Sequence, residues 1–229
     1  MPNGGASGLH GGPSILMPEE HPRIRAKITN DWVDYPHNDL SNAAWFFRER
    51  IKKAFAEKER TDGIFLDMMA CVTMIAFSLE GYVNFVGAKL LDGKPDEWKD
   101  FERETVREKI KAIRKITGIQ IDWNKRPYVT TAKLIDLRNI LAHPKAHKAE
   151  PREWIAEGTD SAFKKMLRDY EPEWVKIISE AFIDEAYEDV EEIWKSLLAA
   201  AGIEEHESRS GGSQGFELID LLPPENEPK

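Results

Sequence analysis

One long apolar segment constrains the fold of this chain more than any other feature. It runs from about residue 62 to residue 91 and ends at Asp92-Gly93. Apolar residues occupy nearly every side of a helix drawn through it, which is typical of a helix at the centre of a bundle. Its most apolar stretch, residues 68–79, is interrupted by Thr73 and Ser78, and it is shorter than the ~20 residues that span a membrane. The segment predicts a buried core helix, and no membrane contact is expected.

Amphipathic segments flank this core segment on both sides. Their apolar residues recur at helical spacing, and nothing alternates with the period of a strand over a useful length. Glycine residues at positions 118 and 202 mark two helix ends, and Thr130-Thr131 are candidate N-caps. The further predicted helices cover residues 40–55, 98–116, 130–143, 163–170 and 171–202. The chain is therefore expected to be an all-α, up-and-down helical bundle.

The predicted bundle has a tail on each side. With 229 residues the chain can bury one substantial core. Residues 1–36 are rich in Gly, Pro and isolated charges, so we expect a flexible N-terminal arm before a bundle over residues 37–202. Residues 203–229 predict a flexible acidic tail, in which the apolar cluster at 216–222 could dock on the bundle or on a partner.

Charge and cysteine content restrict the setting. Lys+Arg 32 against Asp+Glu 41 gives a formal charge of −9, which opposes non-specific binding to nucleic acid, so any such contact requires a local basic patch. The single cysteine, Cys71, lies among apolar residues and excludes a disulfide framework. The N-terminal sequence lacks the features of a secretory signal. A cytoplasmic location is expected.

Several familiar catalytic motifs do not occur in the sequence. It contains neither a phosphate-binding Gly-rich loop with Lys-Ser/Thr nor a Gly-x-Ser-x-Gly elbow. Paired cysteines and His-Glu-x-x-His are missing as well. These observations disfavour nucleotide-dependent phosphoryl transfer, serine hydrolysis and zinc catalysis, and we expect neither a metal nor a cofactor.

The residues best suited to chemistry are Arg138 and His143 at the end of a predicted helix. Arginine can clamp a phosphate with two parallel hydrogen bonds, histidine titrates near neutrality and can transfer a proton, and RNA supplies its own nucleophile. Asn139 follows the arginine directly. Further basic groups follow at Lys145, His147 and Lys148, which are candidate substrate-binding residues.

The spacing of this pair predicts a dimer. Pro144 disfavours the α conformation at the residue before it, so His143 lies at or just past the last helical turn. Five residues of an ideal helix rotate by about 140° and rise by about 7.5 Å, so Arg138 and His143 do not share a face. A site built from both side chains is expected to combine two copies of the motif, hence a homodimer.

Two short stretches resemble the HEPN superfamily (higher eukaryotes and prokaryotes nucleotide-binding). Leu137-Arg138-Asn139-Ile140-Leu141-Ala142-His143 is similar to the superfamily's closing motif. Phe77-Ser78-Leu79-Glu80-Gly81-Tyr82-Val83-Asn84 looks like its Glu-containing core helix. The resemblance implies a bundle that dimerises with two Arg/His motifs facing one cleft. In many members it also implies metal-independent endoribonuclease activity in a toxin or defence effector.

The resemblance also implies roles for single residues. His143 would be the general acid or base, Arg138 the phosphate clamp and Asn139 a polar brace. Glu80 would hold the arginine side chain in its orientation without contacting the substrate. Asn84 occupies the position at which some members of the superfamily have a Lys or Arg. RNA and a second copy of the chain are the expected partners, and a protein regulator is left open.

Two other interpretations remain open at this stage. The chain could be a catalytically silent HEPN-like module that binds a nucleotide or a protein, with Arg138 and Glu80 forming only an ion pair and His143 interacting with the helix dipole. It could also be a structural bundle that recruits a partner through residues 216–222.

Overall fold

The computed structural model describes residues 23–57, 63–146, 153, 155, 157–168 and 170–222. Within them the chain is largely helical, with one pair of strands. The elements are β1 (Ile24–Val33), α1 (Pro36–Ala56), α2 (Ile64–Leu90), α3 (Pro95–Arg103), α4 (Val106–Thr117), α5 (Tyr128–Ala142), α6 (Asp160–Arg168), α7 (Glu173–Ile177), α8 (Glu180–Ala201), a 3₁₀ turn (Glu205–Ser208) and β2 (Gly211–Leu221).

The chain divides into two compact units. The first contains the two strands, with described residues 23–32 and 212–222, and the second spans Val33–Gly211 and contains all the helices named above. The helical class predicted from the sequence is confirmed for the second unit. The resemblance to one particular helical superfamily stays a prediction.

Helix α2 is the core element of the helical unit, as its sequence predicted. Its 27 residues pack against α1, α3, α4, α5 and α8. Because a helix that is apolar on all sides must be covered on all sides, the neighbouring helices each turn an apolar stripe toward it. The most deeply buried side chains come from α2 and these neighbours: Ile51, Val72, Ile75, Leu79, Val83, Ile110, Ile113, Leu134, Leu137, Ile183, Ile193 and Leu197.

By length and composition alone, α2 could also cross a membrane, and it is the only helix in the described part of the chain that passes this test. The core helix of a soluble protein passes the same test. Twelve residues of α2 are buried by the surrounding helices. The structure is thus compatible with the core role predicted for this segment, and the cytoplasmic location stays a prediction.

Several predicted helix boundaries need correction. Residues 98–116 form two helices, since the chain is extended at Glu104 and Thr105, and Thr105 caps α4 by accepting a bond from Glu108 N at 3.3 Å. Thr130 and Thr131 do not cap α5, which begins at Tyr128 and buries both threonines. The helix predicted from residue 171 likewise breaks at Ile178, and Ser179 then caps α8.

The two helix ends assigned to glycine are confirmed. Gly118 follows α4 with φ 76° and Gly202 follows α8 with φ 67°. Both angles lie in the left-handed region, which glycine adopts without the steric cost that a Cβ atom brings.

Both segments predicted as tails contain a strand that was not expected, and their flexibility stays a prediction. Residues 24–33 and 211–221 form strands that pair with each other. Gln214 Nε2 donates to Asn30 Oδ1 (3.3 Å) and Leu222 N donates to Arg23 O (2.8 Å), so the strands run antiparallel. The pairing joins segments far apart in the sequence, which a search for local periodicity cannot detect. We call this pair of strands the ribbon.

Ion pairs connect α8 to the elements around it. Asp189 is buried, and both of its carboxylate oxygens accept bonds from Arg126, the shortest at 2.7 Å. On α1, Arg48 donates to Asp184 at 2.6 Å, and this contact lowers the pKa of the Asp184 carboxyl against the effect of burial. These pairs fix where α8 lies along its neighbours.

A buried histidine connects the start of α1 to the end of the helical unit. The His37 ring contacts Tyr82, Phe85 and Trp194, and its Nε2 donates to the carbonyl oxygen of Ser208 at 2.9 Å. Burial among these rings lowers the pKa of His37, and the bond to Ser208 opposes the shift only in part. The folded protein therefore favours the neutral imidazole.

His37 gives the protein a predictable pH dependence. Its folded pKa lies below the unfolded value of about 6.5, so below that pH the unfolded chain binds a proton that the folded chain does not. We expect the free energy of unfolding to fall as the pH drops from 7 toward 5, by up to ~1.4 kcal/mol per pH unit. Urea unfolding across this range should show a flatter profile for His37→Gln.

The matched control is His206→Gln, because the His206 side chain is exposed. This variant should keep the wild-type slope. An unchanged slope in His37→Gln would contradict the assignment, since carboxyl groups contribute mainly below about pH 5.

Candidate functional site

Arg138 lies at the surface between α5 and α2 with its guanidinium fixed from two sides. Its Nη2 donates to Glu80 Oε2 at 2.6 Å and its Nη1 donates to Asn139 Oδ1 at 3.1 Å. The guanidinium carbon also stands 5.4 Å from the centre of the Phe77 ring. Arg138 and Glu80 each keep 28% of the side chain exposed, so this ion pair is only partly shielded from water.

Helix packing explains this placement. Leu134, Ile135 and Leu137 are buried on the inner side of α5, which turns Arg138 to the edge of its contact with α2. Glu80 is a carboxylate in a helix with few charges, and it emerges at the same edge. The sequence analysis predicted that Glu80 would orient Arg138, and the contact itself is present in the structure.

A narrow cleft opens beside this ion pair. It has a volume of about 180 Å³. Arg138 and Asn139 line one side of it, and Arg103, Glu104 and Thr105 line another at the junction of α3 and α4. Arg138 Nε is enclosed and has no hydrogen-bond partner among the described residues. The cleft is thus lined by two guanidinium groups, the carboxylates of Glu80 and Glu104, and the hydroxyl of Thr105.

His143 lies in a different groove. It follows the last residue of α5, its backbone N–H bonds to Asn139 O at 3.0 Å, and its side chain is exposed. The groove measures about 440 Å³, and its lining includes Lys145 and Trp174. Lys145 is exposed, and its role in substrate binding stays a prediction.

Asn139 lines both the cleft of Arg138 and the groove of His143. The two predicted catalytic side chains of one chain therefore lie in neighbouring depressions and do not meet. This separation is what the helical rotation predicted. His147 and Lys148, the other predicted substrate-binding residues, lie outside the residues that the structure describes.

Asn84 has a partner that the sequence analysis missed. Its Oδ1 accepts a bond at 2.9 Å from Lys109 Nζ, and Lys109 is buried, with 2% of its surface exposed. A lysine from α4 therefore supplies a cation one helical turn beyond Glu80. Its position next to Ile110 and three residues after Val106 places it on the buried stripe of α4, so the spacing of apolar residues could have revealed it.

Arg107, a basic residue of α4, is engaged in packing. Arg107 donates to Asp136 Oδ2 at 2.9 Å and to the carbonyl oxygen of Ala132 at 3.0 Å. It thereby joins α4 to the same helix that carries Arg138. In the described part of the chain no group of three metal-binding side chains comes together.

Comparisons with models of known protein families, with curated proteins and with solved structures find no match to this chain. The chemistry of the site therefore rests on the residues themselves.

The Glu80 contact leads to a stability prediction. Glu80→Gln replaces the carboxylate by a neutral amide and weakens a partly buried, charge-assisted hydrogen bond, so we expect a loss of about 1 kcal/mol in the free energy of unfolding. Glu102→Gln, on an exposed face of α3, should change stability by less than about 0.5 kcal/mol. Urea titrations monitored by circular dichroism test both variants, and equal midpoints would argue against an oriented ion pair.

Proposed function

We propose that this protein is a HEPN-like, metal-independent endoribonuclease that acts as a homodimer, with Arg138 and His143 in a composite site. The observation that supports it most is the orientation of Arg138 between Glu80 and Asn139, with an exposed His143 in the adjoining groove. A fixed guanidinium and an accessible imidazole, brought to one site by dimerisation, are the groups needed to cleave a phosphodiester that carries its own nucleophile.

The proposed chemistry uses the ribose 2′-hydroxyl. The imidazole of one His143 removes the 2′-hydroxyl proton, and the oxygen attacks the adjacent phosphorus. The bond from phosphorus to the 5′-oxygen breaks, and this oxygen takes a proton from the imidazolium of the partner's His143. The products are a 2′,3′-cyclic phosphate and a 5′-hydroxyl. Arg138 balances the charge that develops on the phosphate oxygens.

Dimerisation completes the site in this proposal. Within one chain the cleft of Arg138 and the groove of His143 are separate. A strand of RNA can contact both only if the two depressions lie along one path. They can belong to one subunit or to two. Ile140 is on the same helix, lines the groove of His143 and is 44% exposed. It is a suitable apolar contact at a two-fold axis.

The ion pair favours a second candidate function. Glu80 neutralises Arg138, and the whole chain carries a formal charge of −9, so the site attracts RNA less than an unpaired arginine would. A catalytically silent HEPN-like module fits this feature, since a site that does not cleave RNA has no need to attract a polyanionic strand. Cleavage assays separate the two functions.

We expect purified protein to cleave structured RNA in the presence of a chelator, and His143→Ala to lower the rate at least a hundredfold while the helices stay intact. Arg138→Ala should lower it as much and reduce stability, since it leaves Glu80 without its cation. The control His206→Ala should cut like wild type. Intact RNA across a range of substrates, or full activity in His143→Ala, would leave the silent module as the better proposal.

The dimer at α5 has its own test. Ile140→Glu places a carboxylate in the proposed interface, so cleavage should fall at least tenfold and association should weaken in sedimentation equilibrium. Leu66→Glu is a matched control, because Leu66 is a similarly exposed apolar residue at 68% on α2. Equal mass and activity in the two variants would move the interface away from α5.

A further inference from the structure

One face of the ribbon carries exposed apolar side chains. Ile24, Ile28 and Trp32 occur at every fourth position of β1 and therefore lie on one side of it. Their surfaces are 43%, 77% and 49% exposed. Lys27 and Glu217 approach each other across the strands at 3.9 Å, which places the neighbouring Phe216 on the Ile28 side. Phe216 is 64% exposed.

Such a ribbon gains stability from further strands. An isolated pair of strands is marginal in water, and three or more strands with an apolar face, or packing against a helix, give independent stability. Strands in an open sheet also offer unpaired N–H and C=O groups along their outer edges. The ribbon consists of β1 and β2 alone, so each strand has such an edge within the described part of the chain.

We propose that two copies of this chain join through the ribbon, with β1 of one copy pairing antiparallel to β1 of the other around Ile28. The result is a four-stranded sheet with the two β1 strands at its centre and one β2 strand on each side. Its apolar face is continuous across both copies, and this association is independent of the endoribonuclease proposal.

Charge selects β1 over β2 as the shared edge. The β2 strand carries Glu217 and Asp220 and contains no Lys or Arg. Pairing two β2 strands would bring four carboxylates together, with Lys27 beside Glu217 as the nearby cation of each copy. Like charges across a sheet are destabilising. The β1 strand carries both signs, with Arg25 and Lys27 before its centre and Asp31 after it.

The sequence of β1 is suited to antiparallel pairing with a second copy of the same strand. In an antiparallel pair centred on Ile28, positions equally far before and after the centre face each other. Arg25 then faces Asp31 of the other copy, twice by symmetry, and Ile24 likewise faces Trp32. This pairing keeps Arg25 and Asp31 on one face of the joined sheet and Ile28 on the other, because successive side chains of a strand point to opposite faces.

Neighbouring registers are less favourable. A pair centred on Lys27 sets two ammonium groups against each other. A pair centred on Thr29 leaves Arg25 without an acidic partner and sets Ile28 opposite Asn30. A centre between two residues would place apolar side chains opposite polar ones and divide the apolar face.

Disulfide trapping tests the centre of the pairing on the full chain. Ile28→Cys puts two thiols opposite each other in the dimer, so mild oxidation should give a covalent dimer. Phe216→Cys is the matched control on the same face, since the two outer strands lie about 14 Å apart, too far for a disulfide. Wild type should not crosslink, because Cys71 is buried.

Charge exchange tests the register. In the Ile28→Cys background, Arg25→Asp sets two acidic residues opposite each other and should slow crosslinking about tenfold. Adding Asp31→Arg exchanges the charges and should restore the rate. Crosslinking of Phe216→Cys or Thr29→Cys as fast as Ile28→Cys would overturn the proposed register, as would a rate unaffected by Arg25→Asp. The RNA-cleavage assay does not depend on the rates of crosslinking. If the protein proves not to cleave RNA, the crosslinking rates still test the pairing of the two β1 strands.

Discussion

The need to cover α2 on every side determines the arrangement of the helical unit. A helix of 27 residues with apolar side chains on nearly every side is poorly solvated, so each surrounding helix contributes an apolar stripe of its own. The neighbours need only one such stripe and can place charges outside it. Cross-helix ion pairs, such as Arg48 with Asp184 and Arg126 with Asp189, then fix positions that the less directional apolar contacts leave open.

Three polar groups on α2 are exceptions in this packing, and each of them has a partner on another helix. Tyr82 donates to Glu191 at 3.1 Å, Asn84 accepts from Lys109, and Glu80 accepts from Arg138. Since burying a polar group without a hydrogen bond is costly, these contacts define where α4, α5 and α8 lie along α2. The candidate site is therefore built on the core helix, and a substitution at Glu80 acts on packing and site geometry together.

The sequence was informative where a signal was local. Apolar periodicity located the core helix, and glycine marked the ends of α4 and α8. The proximity of Glu80 to Arg138 could be anticipated from the resemblance alone, because no local pattern links residues 58 positions apart. The ribbon was missed for the same reason, although Ile24, Ala26 and Ile28 alternate in the sequence. The break at Glu104-Thr105 was missed because the apolar stripe continues across it.

Arg138 can still donate hydrogen bonds to a phosphate while it is paired with Glu80. A guanidinium has five N–H donors. Nη2 uses one on Glu80, Nη1 uses one on Asn139, and Nε is enclosed, so each Nη nitrogen retains one further N–H. The carboxylate lowers the net attraction for an anion and at the same time holds the guanidinium plane fixed, which reduces the entropy lost when a phosphate binds. An oriented but neutralised arginine suits the proposed site, which would bind RNA weakly by charge and select it by geometry.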